Sequence, residues 1–282
     1  EQIEAVPTVT EEPLELLRDG RLSAPARLRQ VLTHVKLTGR LADLIYSMEA
    51  SDTEFHAHQF KPVLKMLSSP TGGLLIADEV GLGKTIEAGL IWTELTARYD
   101  FSRFLVVCPK VLCSKWAAEL SGKFGLDPRI LTAAELLEIL QSPERLKRGF
   151  VAICSLQGLQ PPRGWDEEES ETYHRASSRL GRFLREHVGE EPLFDLLVID
   201  EAHHLRNPET RRNLLGNLLR PVSHYKAFLS ATPIQLRDRD LHSLLKLLDP
   251  ETFRRPEDLR DILYANQPLI EAREALLHGR PL

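Results

Sequence analysis

Apolar and polar positions follow two different rhythms along this chain. Between residues 24 and 50, Leu28, Val31, Leu32 and Val35, then Leu41, Leu44, Ile45 and Met48, recur at helical spacing, and Gly39 divides them into two amphipathic helices. Residues 1–22 carry Pro7, Pro13 and the acidic Glu11, Glu12 and Glu15, and read as a tail or loosely ordered arm. A short helix is expected over 59–67, and a turn over 68–73. Beyond it the rhythm changes. Continuous apolar runs predict strands over 74–77, 104–108, 130–131, 150–154, 196–199 and 226–229. Between them helical spacing predicts helices over 84–97, through Trp116, Leu120 and Phe124, over 133–140, 209–219 and 241–248, and one or two more over 257–277. Apolar strands alternating with helices are the signature of a parallel sheet covered on both faces, so the expected fold class is α/β. In such sheets ligands sit beyond the carboxyl ends of the strands, and the polar residues there are the ones to read for chemistry.

Composition narrows the function classes. The 282 residues carry 36 Lys and Arg against 41 Asp and Glu, a net charge of −5, which argues against gripping nucleic acid by bulk charge but leaves local basic patches open. The apolar runs over 73–77 and 193–199 are far below the ~20 residues a bilayer crossing needs. Glu1 opens an acidic stretch rather than a basic-then-apolar leader, and the absent initiator Met suggests a trimmed chain. Three cysteines fit a reducing compartment better than a disulfide framework, so a cytoplasmic location without membrane contact is expected.

After the strand over 74–77 comes Asp78-Glu79-Val80-Gly81-Leu82-Gly83-Lys84-Thr85-Ile86, running straight into a helix. Gly81 and Gly83 permit a tight wrap in which several N–H groups converge on a phosphate. Lys84 can reach the terminal phosphates and the Thr85 hydroxyl can ligate Mg²⁺, while the helix N-terminus adds positive potential. The general phosphate-loop pattern has Gly at position 78, where this chain has Asp78. A Gly-rich turn capping an ordinary helix is the alternative. The strand over 196–199 ends in Asp200-Glu201-Ala202-His203, two carboxylates placed at a strand end: Asp200 to hold Mg²⁺ through water, Glu201 to orient or deprotonate an attacking water. His203 and His204 with Cys108 and Cys113 lack the spacing of a zinc site, and Cys108 and Cys154 end buried strands, so the cysteines read as small buried hydrophobes. Finally Phe228-Leu229-Ser230-Ala231-Thr232-Pro233 brings small hydroxyl residues to another strand end.

Together, in this order, the three elements resemble the first RecA-like lobe of superfamily-two helicases and translocases. The segment from Ala77 to Gly89 is most similar to the Swi/Snf-type, RapA-like bacterial ATPases, in which an acidic residue takes the place of the first glycine. Leu105-Val106-Val107-Cys108-Pro109-Lys110 resembles motif Ia, Asp200-Glu201-Ala202-His203 the DEAH-type motif II, and Leu229-Ser230-Ala231-Thr232-Pro233-Ile234-Gln235 motif III. His58-Gln59 resembles the Q motif, and the segment 241–250 the helix that follows motif III.

The resemblance implies an ATP- and Mg²⁺-using enzyme coupling hydrolysis to tracking on double-stranded DNA. Gln59 would read the adenine edge; Glu79, Val80, Gly81, Leu82, Gly83 and Ile86 would line the nucleotide with Lys84 and Thr85. Thr85 and Asp200 would bind the metal, and Lys84, Asp200 and Glu201 would carry the reaction. Ser230 and Thr232 would couple the nucleotide to the nucleic-acid groove, near Pro109, Lys110 and the Cys154-Ser155 strand end. Contacts through backbone amides and hydroxyls reconcile DNA binding with a charge of −5. The expected division is an N-terminal arm with amphipathic helices over 1–50, open to a protein partner, a RecA-like lobe over 51–253, and a helical connector over 254–282 toward a second lobe of the parent chain. Without the arginine fingers of that lobe, worth ~10³–10⁵ in rate in related phosphoryl transfer, weak hydrolysis is expected. A strand-separating DNA or RNA helicase and a nucleotide-gated docking module are the alternatives.

One insertion stands apart, over 160–192. Arg175, Arg179, Arg182 and Arg185 line one helix face, read as a solvated face in preference to a DNA-facing stripe, and Asp166 to Glu169 as a solvated loop. Trp165 beside them has no role legible in the sequence.

Overall fold

The computed structural model describes residues 57–77, 83–230 and 238–277, the side chains of 57, 58, 238 and 268–277 excepted. The helices expected over 24–50 lie outside the described residues. Six strands, β1 (Gly73–Ile76), β2 (Arg103–Cys108), β3 (Pro128–Leu131), β4 (Phe150–Ser155), β5 (Phe194–Ile199) and β6 (Ser223–Leu229), form one sheet in the order β1-β6-β5-β2-β4-β3. Every pairing is parallel. The helices are α1 (Lys61–Leu67), α2 (Lys84–Tyr99), α3 (Cys113–Phe124), α4 (Ala133–Leu140), α5 (Pro143–Arg148), the single turn α6 (Leu156–Leu159), α7 (Ala176–Glu186), α8 (Arg211–Leu219), α9 (Asp238–Leu248) and α10 (Pro256–Leu277). A short 3₁₀ turn, Ala57–Phe60, leads into α1. The tail expected as one or two helices is the single helix α10.

The central strands β5 and β2 are apolar because both their faces are covered. Every residue of β5 and five of six in β2 are buried. Alternate residues turn to opposite layers. Leu105, Val107, Leu197 and Ile199 join a cluster with Leu136 and Leu140 of α4, Leu180 and Leu184 of α7, and Leu215 and Leu219 of α8. On the other face Trp92 of α2 stacks on Phe104 with ring centroids 4.8 Å apart. Each such large side chain taken out of water contributes about 1.5–3 kcal/mol.

Polar anchors fix the amino ends of the strands. The buried Asp195 accepts from the backbone N–H groups of Ser102 (2.8 Å) and Arg103 (2.7 Å), and from the Arg103 guanidinium at 3.1 and 2.6 Å. This locks β5 to β2 in register, so that Val107 faces Ile199 at the opposite, carboxyl end. Lys226 donates from Nζ to the carbonyl of Thr71 at 3.0 Å and ties β6 to the turn before β1.

The insertion folds onto α7. Trp165 is buried against Gly181, where a Cβ would lie 2.9 Å from the indole. Arg182 donates to the carbonyls of Trp165 (2.6 Å) and Tyr173 (3.0 Å) and sits 3.6 Å from the Tyr173 ring centroid. Arg185 pairs with Asp166 at 3.0 Å and lies over the Trp165 ring at 4.8 Å. The expectation of a purely solvated arginine face is therefore corrected. Two of the four arginines fasten the insertion, because the Trp165 and Tyr173 rings and the carbonyls of those two residues take cationic donors there.

Candidate nucleotide and nucleic-acid site

A parallel sheet brings all its carboxyl ends to one edge. There β1 leads toward the amino end of α2, β6 ends in Ser230, β5 in Asp200 and Glu201, β2 in Pro109 and Lys110, and β4 in Ser155. Two ladder-extending hydrogen bonds set the levels. Ser230 N–H donates to the Ile76 carbonyl at 2.9 Å, and Asp200 N–H to the Val107 carbonyl at 2.8 Å. β6 separates β1 from β5, so Ser230 stands between the phosphate-loop strand and the acidic strand end.

At the start of α2, Gly83 has φ +93°, a conformation that a side chain strains. A Cβ there would lie 2.6 Å from Nε2 of Gln59, whose side chain is buried. Gln59 and the end of the phosphate loop thus touch, although 24 positions separate them. Lys84, Thr85 and the buried Ile86 follow in the first turn of α2. Asp78, Glu79, Val80, Gly81 and Leu82 lie outside the described residues, as does Thr232.

Asp200 is nearly buried, and each of its oxygens is held. Trp116 Nε1 donates to Oδ2 at 2.9 Å, and the Glu201 N–H to Oδ1 at 2.8 Å. Burial pushes its carboxyl above the usual carboxylate range; the Trp116 and Glu201 donors and the nearby Lys84 ammonium pull it back in part. Trp116 had no signal in the sequence beyond an apolar position on a helix.

Glu201 has φ +51°, the left-handed region that a non-glycine residue enters only when its surroundings hold it there. Its Oε2 lies 3.1 Å from Nδ1 of His203. His204 meets Arg212 at 3.2 Å, and burial above all, with His203 and the Arg212 guanidinium beside it, pushes its imidazole down, toward the neutral acceptor.

Of the remaining expected residues, Lys110 and Ser155 line a cavity of about 730 Å³, and Pro109 does not. Lys110, Ser114, Thr132, Ser155, Gln157 and Ser177 supply its polar wall. Ser155 Oγ accepts from the Gly158 N–H at 3.0 Å, and Gln157 Oε1 from the Lys110 N–H at 3.2 Å. Cys108, Cys113 and Cys154 are buried and unbridged, as their reading as small hydrophobes expects. Among the described residues no group of three or more His, Cys, Asp or Glu is placed to hold a metal ion on protein ligands alone, and no helix is long and apolar enough to cross a membrane.

The profile of the SNF2-related domain matches residues 46–276. The chain belongs to the SNF2-related family. This SNF2-related chain is 31% identical over 220 residues to the uncharacterized ATP-dependent helicase YqhH of Bacillus subtilis, covering 78% of the chain and 34% of that protein. It is 32% identical over 224 residues to the RNA polymerase-associated protein RapA of Stutzerimonas stutzeri, covering 78% of the chain and 21% of RapA. The chain thus spans 34% and 21% of the length of these two relatives. Its fold matches the SWI2/SNF2 ATPase core of Sulfolobus solfataricus solved in complex with dsDNA, with a TM-score of 0.51 at 20% identity over 75% of the chain and 39% of that one. The same core domain solved separately gives a TM-score of 0.52 at 21% identity, over 78% of the chain and 40% of its counterpart. The SNF2-related chain is the first RecA-like lobe of a Swi/Snf-type superfamily-two ATPase.

Proposed function

We propose that this lobe binds Mg²⁺–ATP at the carboxyl edge of its sheet and serves as the ATP-binding half of a motor that tracks double-stranded DNA. One observation carries the reading: the all-parallel sheet brings the start of α2 with Lys84 and Thr85, the Ser230 strand end and the Asp200-Glu201 strand end to the same carboxyl edge.

The residues fit the nucleotide and its metal. At Gly83 a Cβ would lie 2.6 Å from Nε2 of Gln59, so the backbone is cut for close approach. Mg²⁺ keeps several waters and asks for one or two carboxylates plus phosphate oxygens, so the lack of a protein-only metal cage among the described residues suits it. When bound, Mg²⁺–ATP supplies a γ-phosphoryl group whose transfer to water drives the motor. Lys84 neutralises phosphate charge, and Thr85 and Asp200 hold the metal side. Asp200 accepts one protein donor on each oxygen and keeps lone pairs for metal-bound water. Glu201, whose Oε2 lies 3.1 Å from Nδ1 of His203, would orient water and accept its proton. Gln59 would read the adenine edge, and Glu79, Val80, Gly81, Leu82 and Ile86 would line the nucleotide. Ser230 sits between the two strand ends and, with Thr232, relays nucleotide state to the groove of Pro109, Lys110 and Ser155.

The relative named as RNA polymerase-associated and the structural neighbour solved with dsDNA support duplex DNA as the track. We further propose that residues 1–50 are open to a protein partner, that 254–282 lead toward a second lobe, and that hydrolysis by this chain alone is slow. The deciding experiment measures binding of a fluorescent ATP analogue with Mg²⁺, and hydrolysis with and without duplex DNA or RNA. Nucleotide binding that Lys84→Ala abolishes, with turnover raised by duplex DNA, is expected. Stimulation by RNA alone sinks the duplex-tracking reading, and binding that survives Lys84→Ala sinks the site.

A further inference from the structure

The turn between β2 and α3 carries two thiols that the proposed reaction does not use. Cys108, the last residue of β2, and Cys113, the first of α3, place their sulfurs 3.6 Å apart. Four residues separate them, and two of those are Pro109 and Lys110, the expected nucleic-acid contacts. Three residues beyond Cys113 on the same helix stands Trp116, which donates to Asp200. Helical spacing of three places Cys113 and Trp116 on one face.

The two sulfurs differ in access. Cys108 is fully buried, whereas Cys113 is 5% exposed and lines the 730 Å³ cavity. A small oxidant entering that cavity meets Cys113 first. Burial pushes the Cys108 thiol up, which makes it the slower of the two to start the reaction. Cys154, the third buried thiol, ends β4 and has no sulfur contact of comparable length among the described hydrogen bonds.

We propose that Cys108 and Cys113 form a reversible disulfide under peroxide, and that this bond couples oxidation to the Asp200 strand end. The Cys113 sulfur attacks the peroxide O–O bond and becomes a sulfenic acid, and the other oxygen leaves as water with the thiol proton. The Cys108 sulfur then displaces that hydroxyl, which leaves as a second water with the Cys108 proton. Two thiols lose two electrons, and one peroxide becomes two waters. The sulfurs must close from 3.6 Å to about 2.05 Å, which tightens the Pro109–Leu112 turn and draws on the first turn of α3. Trp116 lies on that turn, so its bond to Asp200 is the first contact strained. In reducing compartments disulfides of this transient kind are sensors.

The experiment uses the whole chain. It is treated with equimolar hydrogen peroxide, alkylated and digested with trypsin, which cuts after Lys110 and separates the two cysteines. A peptide pair joining 104–110 to 111–115, lost on dithiothreitol treatment, with Cys154 alkylated, is expected. Cys113 oxidised singly, Cys113 joined to Cys154, or both thiols still alkylated overturns the linkage. Tryptophan emission of the same samples tests the coupling. A reversible change absent from Cys108→Ala is expected, and unchanged emission in the cross-linked chain overturns it. Neither readout depends on nucleotide binding, so failure of the ATP-site reading is told apart by its own binding assay.

Discussion

The indole N–H of Trp116 reaches across from α3 to the carboxylate of Asp200 at 2.9 Å, joining a helix outside every recognised motif to the acidic strand end. Both residues are nearly buried, so the bond works away from water. A hydrogen bond to a charged group contributes about 1.5–3 kcal/mol, and its loss leaves a buried carboxylate short of one donor. Trp116→Phe keeps a ring and removes the donor. Urea unfolding of the variant is expected to show a destabilisation of about 1.5–3 kcal/mol. A change within the ±0.5 kcal/mol typical of surface substitutions contradicts the role given to this contact.

The pH dependence of stability isolates the same carboxyl. Because burial raises Asp200 above its ordinary 3.8, the native chain holds more protons than the unfolded chain between 3.8 and the raised value. Stability contributed by this group therefore falls as pH rises through that interval, and the deficit persists at neutral pH. Asp200→Asn cannot ionise. The stability of Asp200→Asn minus that of the native chain should increase from acid toward neutral pH and then level off. Paired unfolding curves across that range decide it, and a flat or falling difference contradicts the sign.

Gly83 offers a test of the cradle. Gly83→Ala meets two separate penalties, backbone strain at φ +93° and a Cβ 2.6 Å from Nε2 of Gln59. The strain alone is worth roughly 1–2 kcal/mol. The Gln59 amide ends a flexible side chain, so its part is relieved by Gln59→Ala. The double variant should recover only the contact share, and stay less stable than Gln59→Ala by the strain share. Full recovery would show that backbone conformation at Gly83 is unimportant.

Much of this was legible in the sequence, and the misses have physical causes. β2 and β5 announced themselves because a strand covered on both faces is apolar at every position. The predicted start of β5 at 196 came late, since Asp195 interrupts the apolar run; its charge is tolerated because four donors from Ser102 and Arg103 enclose it. β6 likewise begins three residues before the expected start at Lys226, because the polar Ser223 and His224 break the apolar run there. The helices α5 and α6 have six and four residues, too few to show a period. At the site, the strand-end residues follow from their order along a parallel sheet. The Gln59 contact with Gly83, the Trp116 donor and the left-handed Glu201 do not, because each depends on where separate elements meet.

The insertion should come loose when its cation is removed. Arg182 donates to two carbonyls of the segment 165–173 and covers the Tyr173 ring, whereas Arg175 and Arg179 are exposed. Arg182→Ala is expected to speed limited proteolysis within 161–175 severalfold, while Arg179→Ala leaves the rate unchanged. Equal protection in both variants would return all four arginines to the solvated face first expected.

Glu201 gives the sharpest test of the chemistry. Its backbone stays left-handed at φ +51°, and its carboxylate lies 3.1 Å from His203, so the fold maintains a strained residue beside Asp200. Such strain persists where the surroundings over-determine it, and general-base assistance is worth about 10²–10⁴ in rate. Glu201→Gln preserves shape and removes the proton acceptor. If Glu201 only filled space, hydrolysis would survive the change. If it takes the proton from water, the ATP-analogue dissociation constant should stay within about threefold while single-turnover hydrolysis falls by about 10²–10⁴. A parallel loss of both would assign Glu201 to binding, because only a group acting in the transition state separates the two quantities.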